Sequence, residues 1–321
     1  MNMLSRLQLS MLAILVLTFG LSGNLHAGTP ADKREGYIST NGGKLFYSQY
    51  GIKSKQPVIV LHGGPGLDQS YLLPQMQELA ANNQVIFYDQ RGSGRSLGFA
   101  LDAHSINMKN FVKDLEAVRK QFGYKKIILV GHSWGGLLAM RYAILYPDRV
   151  SKLILVSSAP ADYAGFKSFF AEYEKRTAPL KHKLDNLENS TEFKHGDPTT
   201  VIEYYRTVFA TYFYQPTDVS KLSLYFTQQS ALNGRKIGQI FGETYLNRYD
   251  LKPELKKLSV PTLIIHGVND IVPITTARET HAAIASSQIV ELKDCDHFPY
   301  IEQPKEFFKV IAKFLRLDHN T

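Results

Sequence analysis

The sequence predicts an α/β fold: a mostly parallel central sheet, helices on both faces and an inserted helical cap. Six short runs are apolar at nearly every position, which is typical of strands covered by helices on both sides; they span residues 57–61, 84–88, 126–130, 153–157, 262–265 and 288–292. This rhythm stops between residues 161 and 249, where Tyr and Phe are dense. We therefore expect a helical cap between the fourth and fifth of these strands.

The elements around the strands follow from local patterns. A hairpin is predicted over residues 36–49, because Asn41-Gly42-Gly43 separates two strand-like runs. An amphipathic helix is predicted after the second strand from one apolar face, formed by Phe111, Leu115, Val118 and Phe122. Residues 137–146 are apolar nearly all round and stop at Pro147, which predicts a buried helix after the third strand.

The chain divides into three predicted segments. Residues 1–27 have the pattern of a signal peptide, with Arg6, an apolar run over 11–21 and a small residue at Ala27. The run is shorter than the roughly 20 residues that span a bilayer, so we expect cleavage and export to the periplasm or the medium rather than stable membrane insertion. An uncleaved anchor is the alternative. The core is expected at 28–160 and 250–321, and the cap at 161–249.

Charge and cysteine content exclude several classes of protein. The formal net charge is +8, but the basic residues are scattered among acids and form no stripe of the kind that binds nucleic acid. Cys295 is the only cysteine, so neither an intrachain disulfide nor a Cys-rich metal site can form, and we expect a small packing residue there. We predict no metal and no cofactor.

Residues 127–136 carry the strongest chemical signal. A buried strand runs directly into Gly131-His132-Ser133-Trp134-Gly135 and then into a helix. In this Gly-x-Ser-x-Gly arrangement the serine occupies a sharp strand-to-helix turn, where side chains two positions away would collide with the backbone. The pattern predicts Ser133 as a nucleophile.

A serine nucleophile needs a base and an acid that orients the base. Asp270 comes just after the fifth strand and His297 just after the sixth, which is the chain order Ser, Asp, His of this kind of site. We therefore predict Asp270 as the acid and His297 as the base. Asp294 and Asp296 are alternative candidates for the acid. They are less favoured because residues so near His297 in sequence cannot easily reach around its ring. His266 lies inside a strand, and a structural role is expected.

Two backbone N–H groups are expected to stabilise the developing negative charge. One is the amide of Trp134, which follows the nucleophile. The other is predicted at Gly64, within the glycine-rich loop 62–66 that follows the first buried strand; an ordinary tight turn is the alternative. The loop 89–96 after the second strand is glycine-rich as well. It lacks the Gly-Lys-Ser/Thr ending of a phosphate-binding loop, so we predict structural support there.

Taken together, these motifs resemble the proline iminopeptidase branch of the α/β-hydrolases. The resemblance covers residues 36–160 and 250–318 and leaves out the cap. It implies the α/β-hydrolase fold and release of an N-terminal residue, often proline, from short peptides, with carboxylates that bind the free amine. Glu243 resembles one such carboxylate, and a solvated helix-end residue is the alternative. Ile271 stands where relatives place a second Glu, and the only Trp is Trp134 rather than a cap residue.

We therefore expect a serine hydrolase whose substrate is a small peptide or ester. A prolyl aminopeptidase-like activity is the first hypothesis, and an esterase or amidase acting on small acyl substrates is the second. A lyase or a binding protein with the same fold is a third. The sequence leaves the oligomeric state open.

Overall fold

The computed structural model describes residues 33–54 and 56–316, so the predicted signal peptide lies outside the described residues. The described residues contain eight strands: β1 (Arg34–Thr40), β2 (Gly43–Tyr50), β3 (Val58–Leu61), β4 (Val85–Tyr88), β5 (Ile127–His132), β6 (Val150–Val156), β7 (Thr262–Gly267) and β8 (Ser287–Leu292). They form one sheet in the order β1-β2-β4-β3-β5-β6-β7-β8.

The sheet is parallel from β4 through β8, and only the first hairpin breaks this direction. β1 and β2 pair antiparallel around the Asn41-Gly42 turn, with Thr40 opposite Gly43, and β2 pairs antiparallel with β4. Gly42 has φ 94°, a conformation that glycine adopts without steric cost. The predicted α/β class and its hairpin are therefore confirmed.

Helices cover both faces of the sheet. The helices of the described residues are α1 (Met108–Gln121), α2 (Trp134–Leu145), α3 (Tyr163–Thr177), α4 (Lys181–Asn189), α5 (Thr191–Lys194), α6 (Pro198–Phe209), α7 (Gln228–Thr244), α8 (Lys252–Leu255), α9 (Ile274–Ala283), α10 (Pro299–Glu302) and α11 (Pro304–Arg316). Short 3₁₀ segments lie at 69–72, 75–81, 147–149, 178–180, 210–212 and 216–221.

Alternate strand residues supply two apolar cores. Ile59 and Leu129 pack with α1 and α2 on one face, whereas Val60 and Val130 point to the other face, toward α11. Successive side chains of a strand point to opposite sides, so a strand buried on both faces must be apolar throughout. This requirement explains why each central strand is a continuous apolar run.

A helical insertion extends from the sheet between β6 and β7. It contains α3 to α7, and an antiparallel bridge between Asp162 and Asp250 lies at its base. The bridge is flanked by hydrogen bonds from Tyr163 N–H to Tyr249 O and from Leu251 N–H to Ala161 O. We call residues 161–249 the cap. Their helices lie over the carboxyl ends of the central strands, where Ser133 is found.

Candidate active site

Ser133 occupies the turn between β5 and α2 in a strained conformation. Its φ is 54° and its ψ is −123°, a region that non-glycine residues rarely adopt. The turn is packed too tightly for side chains on either side: a Cβ on Gly131 would lie 2.4 Å from Gly135 O, and a Cβ on Gly135 would lie 2.3 Å from Leu61 O. The glycine spacing thus allows the sharp turn that presents Ser133 to the cavity.

The His297 ring is held by Asp270. His297 follows β8 and Asp270 follows β7, and their Nδ1 and Oδ1 atoms are 2.8 Å apart. The same Oδ1 accepts a hydrogen bond from Val272 N–H at 2.8 Å. Burial alone would raise the pKa of Asp270, but the neighbouring charges of His297 and His266 and the hydrogen bond from His297 lower it overall. An ionised Asp270 fixes the hydrogen on Nδ1 and leaves Nε2 as an acceptor.

Ser133 and His297 line the same cavity. Within residues 33–54 and 56–316, no hydrogen bond joins Ser133 Oγ to the His297 ring, and hydrogen bonds of this type often tighten only when substrate binds. The three residues predicted from motif and chain order therefore converge on one site. The arrangement is suited to nucleophilic attack by a serine with a histidine as base.

The two rival acids have other surroundings. Asp296 Oδ1 accepts a hydrogen bond from Ile271 N–H at 2.8 Å, and its Oδ2 pairs with Arg176. Burial and the nearby Asp270 carboxylate raise the pKa of Asp296 to about 7, against the opposing effect of Arg176. Asp294 is exposed and has φ 49°. Neither carboxylate bonds to the His297 ring.

Arg176 connects the cap to the loops that carry the site. It lies near the end of α3 and donates hydrogen bonds to the carbonyls of Thr211 and Asn269 in addition to its pairing with Asp296. Asn269 immediately precedes Asp270. The cap is thus tied by one side chain to the segment that positions the acid, a contact for which the sequence offers no pattern.

The glycine-rich loop after β3 passes directly against Ser133. A Cβ on Gly63 would lie 3.0 Å from Ser133 Cβ. The Gly63 N–H donates to the Tyr71 hydroxyl at 2.6 Å, whereas Gly64 N–H has no hydrogen-bond partner in the described part of the chain. Trp134 is the first residue of α2, so its N–H has no carbonyl partner within the helix. Both amides remain available, and their role as oxyanion donors stays a prediction.

A buried chain of hydrogen bonds joins this loop to His297. His132 Nε2 lies 2.8 Å from the His297 carbonyl, which can only accept, so Nε2 carries the hydrogen. Burial and the nearby His297 charge lower the pKa of His132 to about 3, so the ring is neutral. Its Nδ1 therefore accepts from the Tyr71 hydroxyl at 2.8 Å, and Tyr71 in turn accepts from Gly63. The sequence analysis missed Tyr71, because it follows no motif.

The loop 89–96 after β4 supports the site from below. Gln90 accepts a hydrogen bond from Trp134 Nε1 at 2.9 Å and donates to the His62 carbonyl at 2.7 Å. The Asp89 carboxylate accepts backbone hydrogen bonds from Gln69 and Arg95. These internal contacts are those of a structural loop.

A cavity of about 430 Å³ opens above Ser133. Its floor is formed by the core, including the glycine loop, His297 and Phe298, and its walls by aromatic residues of the cap. The cap residues that line it are Phe166, Phe169, Phe170, Tyr173, Tyr204, Tyr205, Val208, Phe209, Tyr212, Gly234, Arg235, Gly238, Gln239 and Leu246. Among the described residues that line this cavity, none is Asp or Glu. Its lining is therefore aromatic and carries no acidic group.

The structure corrects the predicted position of Glu243. This residue lies near the end of α7 with its side chain exposed, and it is not among the residues that line the cavity. Its carboxylate accepts a hydrogen bond from Gln239 Nε2 at 2.8 Å on the same helix. Its exposure and its hydrogen bond within the helix match the alternative of a solvated helix-end carboxylate. Its predicted contact with a substrate amine has no structural support.

The described residues contain neither a metal-binding cluster nor a helix that could span a membrane. Within residues 33–54 and 56–316, no group of three or more His, Cys, Asp or Glu side chains is arranged to hold a metal ion. In the same residues, no helix has the length and hydropathy needed to cross a bilayer. Cys295 is fully buried, and burial raises the pKa of its thiol.

Comparison with known proteins agrees with this architecture. A family model described as alpha/beta hydrolase fold matches residues 56–304. A proline iminopeptidase of Saccharolobus solfataricus is 29% identical over 294 residues, which cover 90% of this chain and 94% of the relative. One of Thermoplasma volcanium is 28% identical over 298 residues, covering 88% and 96%. The resemblance predicted from the motifs is confirmed.

Solved structures with a similar fold include a proline iminopeptidase and a hydrolase of another kind. The crystal structure of proline iminopeptidase from Mycobacterium smegmatis superposes with a TM-score of 0.67 at 21% identity, covering 88% of this chain and 98% of that one. A meta-cleavage product hydrolase of Pseudomonas fluorescens gives a TM-score of 0.63 at 22% identity, covering 87% and 97%. At these identities the likeness establishes the fold, and the substrate must be argued from the site.

Proposed function

Because the chain belongs to the α/β-hydrolase fold family, we propose that it is a serine hydrolase that works through an acyl-enzyme. One observation carries this proposal. Ser133, on a strained strand-to-helix turn, faces the same cavity as His297, whose Nδ1 lies 2.8 Å from the buried Asp270 carboxylate. A buried acid, an oriented imidazole and an exposed hydroxyl are the parts that activate a weak oxygen nucleophile.

Each residue has a distinct role in the proposed mechanism. Ser133 Oγ attacks the substrate carbonyl while His297 Nε2 takes its proton and then delivers that proton to the leaving group. Asp270 keeps the ring in the required tautomer and stabilises its protonated form. The N–H groups of Gly64 and Trp134 donate to the oxyanion of the tetrahedral intermediate. Water, activated by His297, then attacks the acyl-enzyme and releases Ser133.

The relatives suggest the substrate class. Those reported above are named proline iminopeptidases, so release of an N-terminal residue from short peptides is the first candidate activity. An esterase or amidase acting on small acyl substrates is the second. It is favoured by a specific observation, namely that the described residues lining the cavity include no carboxylate to bind a free amine.

Labelling and a substrate panel test the proposal. A fluorophosphonate probe should label the wild-type protein and not Ser133→Ala, and wild type should hydrolyse proline, alanine or leucine β-naphthylamides or short-chain p-nitrophenyl esters. Faster release from the proline amide would support the iminopeptidase subclass, and ester turnover without amide turnover would support the second. A folded wild-type protein that is neither labelled nor active on the panel would refute the hydrolase and favour a lyase or a binding protein.

We also propose that residues 1–27 direct export. The support is the sequence pattern of Arg6, the apolar run at 11–21 and Ala27. Expression with the native leader, followed by fractionation and N-terminal sequencing, tests this. A mature N-terminus at Gly28 in the periplasm or medium is expected, and an uncleaved cytoplasmic protein would contradict the proposal.

A further inference from the structure

We infer that the acyl subsite beside Ser133 takes a neutral, apolar acyl group, and that a protonated amine next to the scissile carbonyl is selected against. The inference rests on the proposed hydrolase function and favours its second candidate activity, the esterase or amidase, over release of an N-terminal residue. It begins from the lining of the cavity, which has aromatic walls and no Asp or Glu among its described residues. An ammonium group that enters without an acceptor loses its hydration and gains little in return.

Most of the aromatic residues in the cavity wall come from two cap helices, α3 and α6. On α3, Phe166 and Phe170 pack edge to face at 4.9 Å between ring centroids. On α6, Tyr205 stacks on Phe226 at 5.2 Å and also packs against Phe209. Of these rings, those of Phe166, Phe170, Tyr205 and Phe209 line the same cavity as Ser133. Ring faces attract cations, but weakly compared with the cost of stripping water from a primary ammonium.

The polar groups in the walls are uncharged or already bonded. Burial raises the pKa of Tyr205 to about 12, and burial also raises the pKa of Tyr204 and of Tyr212, so these phenols stay neutral. Arg235 donates to the carbonyls of Phe193 and Lys194, and its guanidinium lies 4.6 Å from the Phe193 ring centroid. Its guanidinium is therefore bonded to carbonyl groups at the end of α5, although the side chain also lines the cavity. Of the carboxylates near the described lining, Asp270 is paired with His297, and the exposed Glu243 accepts from Gln239, so neither belongs to the cavity wall.

A pair of matched substrates tests the inference. Leucine p-nitroanilide and its desamino analogue, 4-methylpentanoyl p-nitroanilide, differ only in the amine, and the corresponding p-nitrophenyl esters provide the same comparison with a better leaving group. At pH 6 the neutral analogue should have a kcat/KM at least about tenfold higher. Raising the pH to 9 deprotonates an amine whose pKa is near 8 and should narrow this gap. A leucyl substrate preferred at pH 6 would overturn the inference while leaving the hydrolase intact.

A carboxylate added to the wall should reverse the selection. Gly238 of α7 lines the cavity, and a Cβ at this position would have no other heavy atom within 4 Å, so Gly238→Glu places an acid where an amine can meet it. We expect the leucyl-to-neutral ratio of kcat/KM to rise at least about threefold. Gln215→Glu adds the same charge at an exposed cap position outside the cavity and should leave the ratio unchanged.

The outcomes separate the inference from the function on which it rests. Equal ratios in wild type and Gly238→Glu would overturn the claim that a missing carboxylate sets the selectivity. Failure of the fluorophosphonate probe to label folded wild type would refute the proposed hydrolase, and the inference would fall with it. Labelling that is slowed by leucinamide more than by 4-methylpentanamide at pH 6 would overturn the inference alone.

Discussion

Tyr71→Phe removes a single oxygen that holds two buried groups. The Tyr71 hydroxyl accepts from Gly63 N–H at 2.6 Å and donates to His132 Nδ1 at 2.8 Å, and the side chain is almost fully buried. A buried polar group left without a partner costs about 1–3 kcal/mol, so two such groups predict a loss of about 2–6 kcal/mol in the free energy of unfolding. Urea unfolding at pH 7 measures this loss.

Tyr300→Phe is the matched control. Tyr300 is also fully buried, but its hydroxyl makes one long hydrogen bond, 3.4 Å from the Tyr71 carbonyl. Its removal should cost no more than about 1 kcal/mol. If the two variants lose the same stability, the Tyr71 hydroxyl does not bridge two otherwise unsatisfied groups, and the proton assignment given to His132 is refuted.

The same substitution should affect turnover more than binding. Tyr71 fixes the backbone next to the Gly64 amide, and through His132 it reaches the carbonyl of His297. We expect Tyr71→Phe to lower kcat about tenfold and to change KM by less than about twofold, because these groups act on the transition state. A rise in KM at unchanged kcat would contradict a positioning role.

Three further predictions concern other parts of the molecule. Asp270→Asn should lower kcat on the order of 10³–10⁴-fold because the imidazole loses its required tautomer, and exposed Asp294→Asn should leave ester kinetics unchanged. In calorimetry Gly234→Ala should lower Tm, because its Cβ would lie 2.7 Å from a backbone oxygen, whereas Gly242→Ala, with open space around it, should raise Tm through helix propensity. Burial raises the pKa of Glu116, but hydrogen bonds from two arginines and a tyrosine outweigh burial and lower this pKa to about 2. The ionised Glu116 should therefore contribute about 2–3 kcal/mol to the free energy of unfolding above pH 4.5, and this contribution should disappear as the pH falls from 4.5 to 2. Urea unfolding measures the loss, which Glu116→Gln should not show.

Strand positions and the three site residues were predictable because each depends on local sequence. A strand buried on both faces must be apolar throughout, and the sharp turn at Ser133 requires glycine two residues before and after it. Asp270 and His297 could be chosen because each follows a recognisable strand. Their mutual contact is a consequence of parallel neighbours ending at the same edge of the sheet.

Other parts of the site could not be predicted because they depend on distant segments meeting. Tyr71 approaches His132 only after β3 and β5 pair, and Arg176 reaches Asp296 only when the cap folds over the core. The side-chain direction of Glu243 depends on how α7 lies over the sheet. Helical periodicity alone does not fix that, and so the sequence suggested as a substrate-binding residue one that the structure places outside the cavity lining.

The glycine loop and the cap meet backbone to backbone at Gly66 and Gly234. A Cβ on Gly66 would lie 2.6 Å from Gly234 Cα, and a Cβ on Gly234 would lie 2.7 Å from Gly66 O. Because no side chains lie between these two backbone segments, there are no flexible atoms that could adjust if one segment moved relative to the other. If α7 shifts to admit or release a ligand, Gly66 must shift with it, and Gly64 is only two residues away. The contact therefore acts as a rigid coupling between the cap and the segment of Gly64, whose amide is the predicted oxyanion donor.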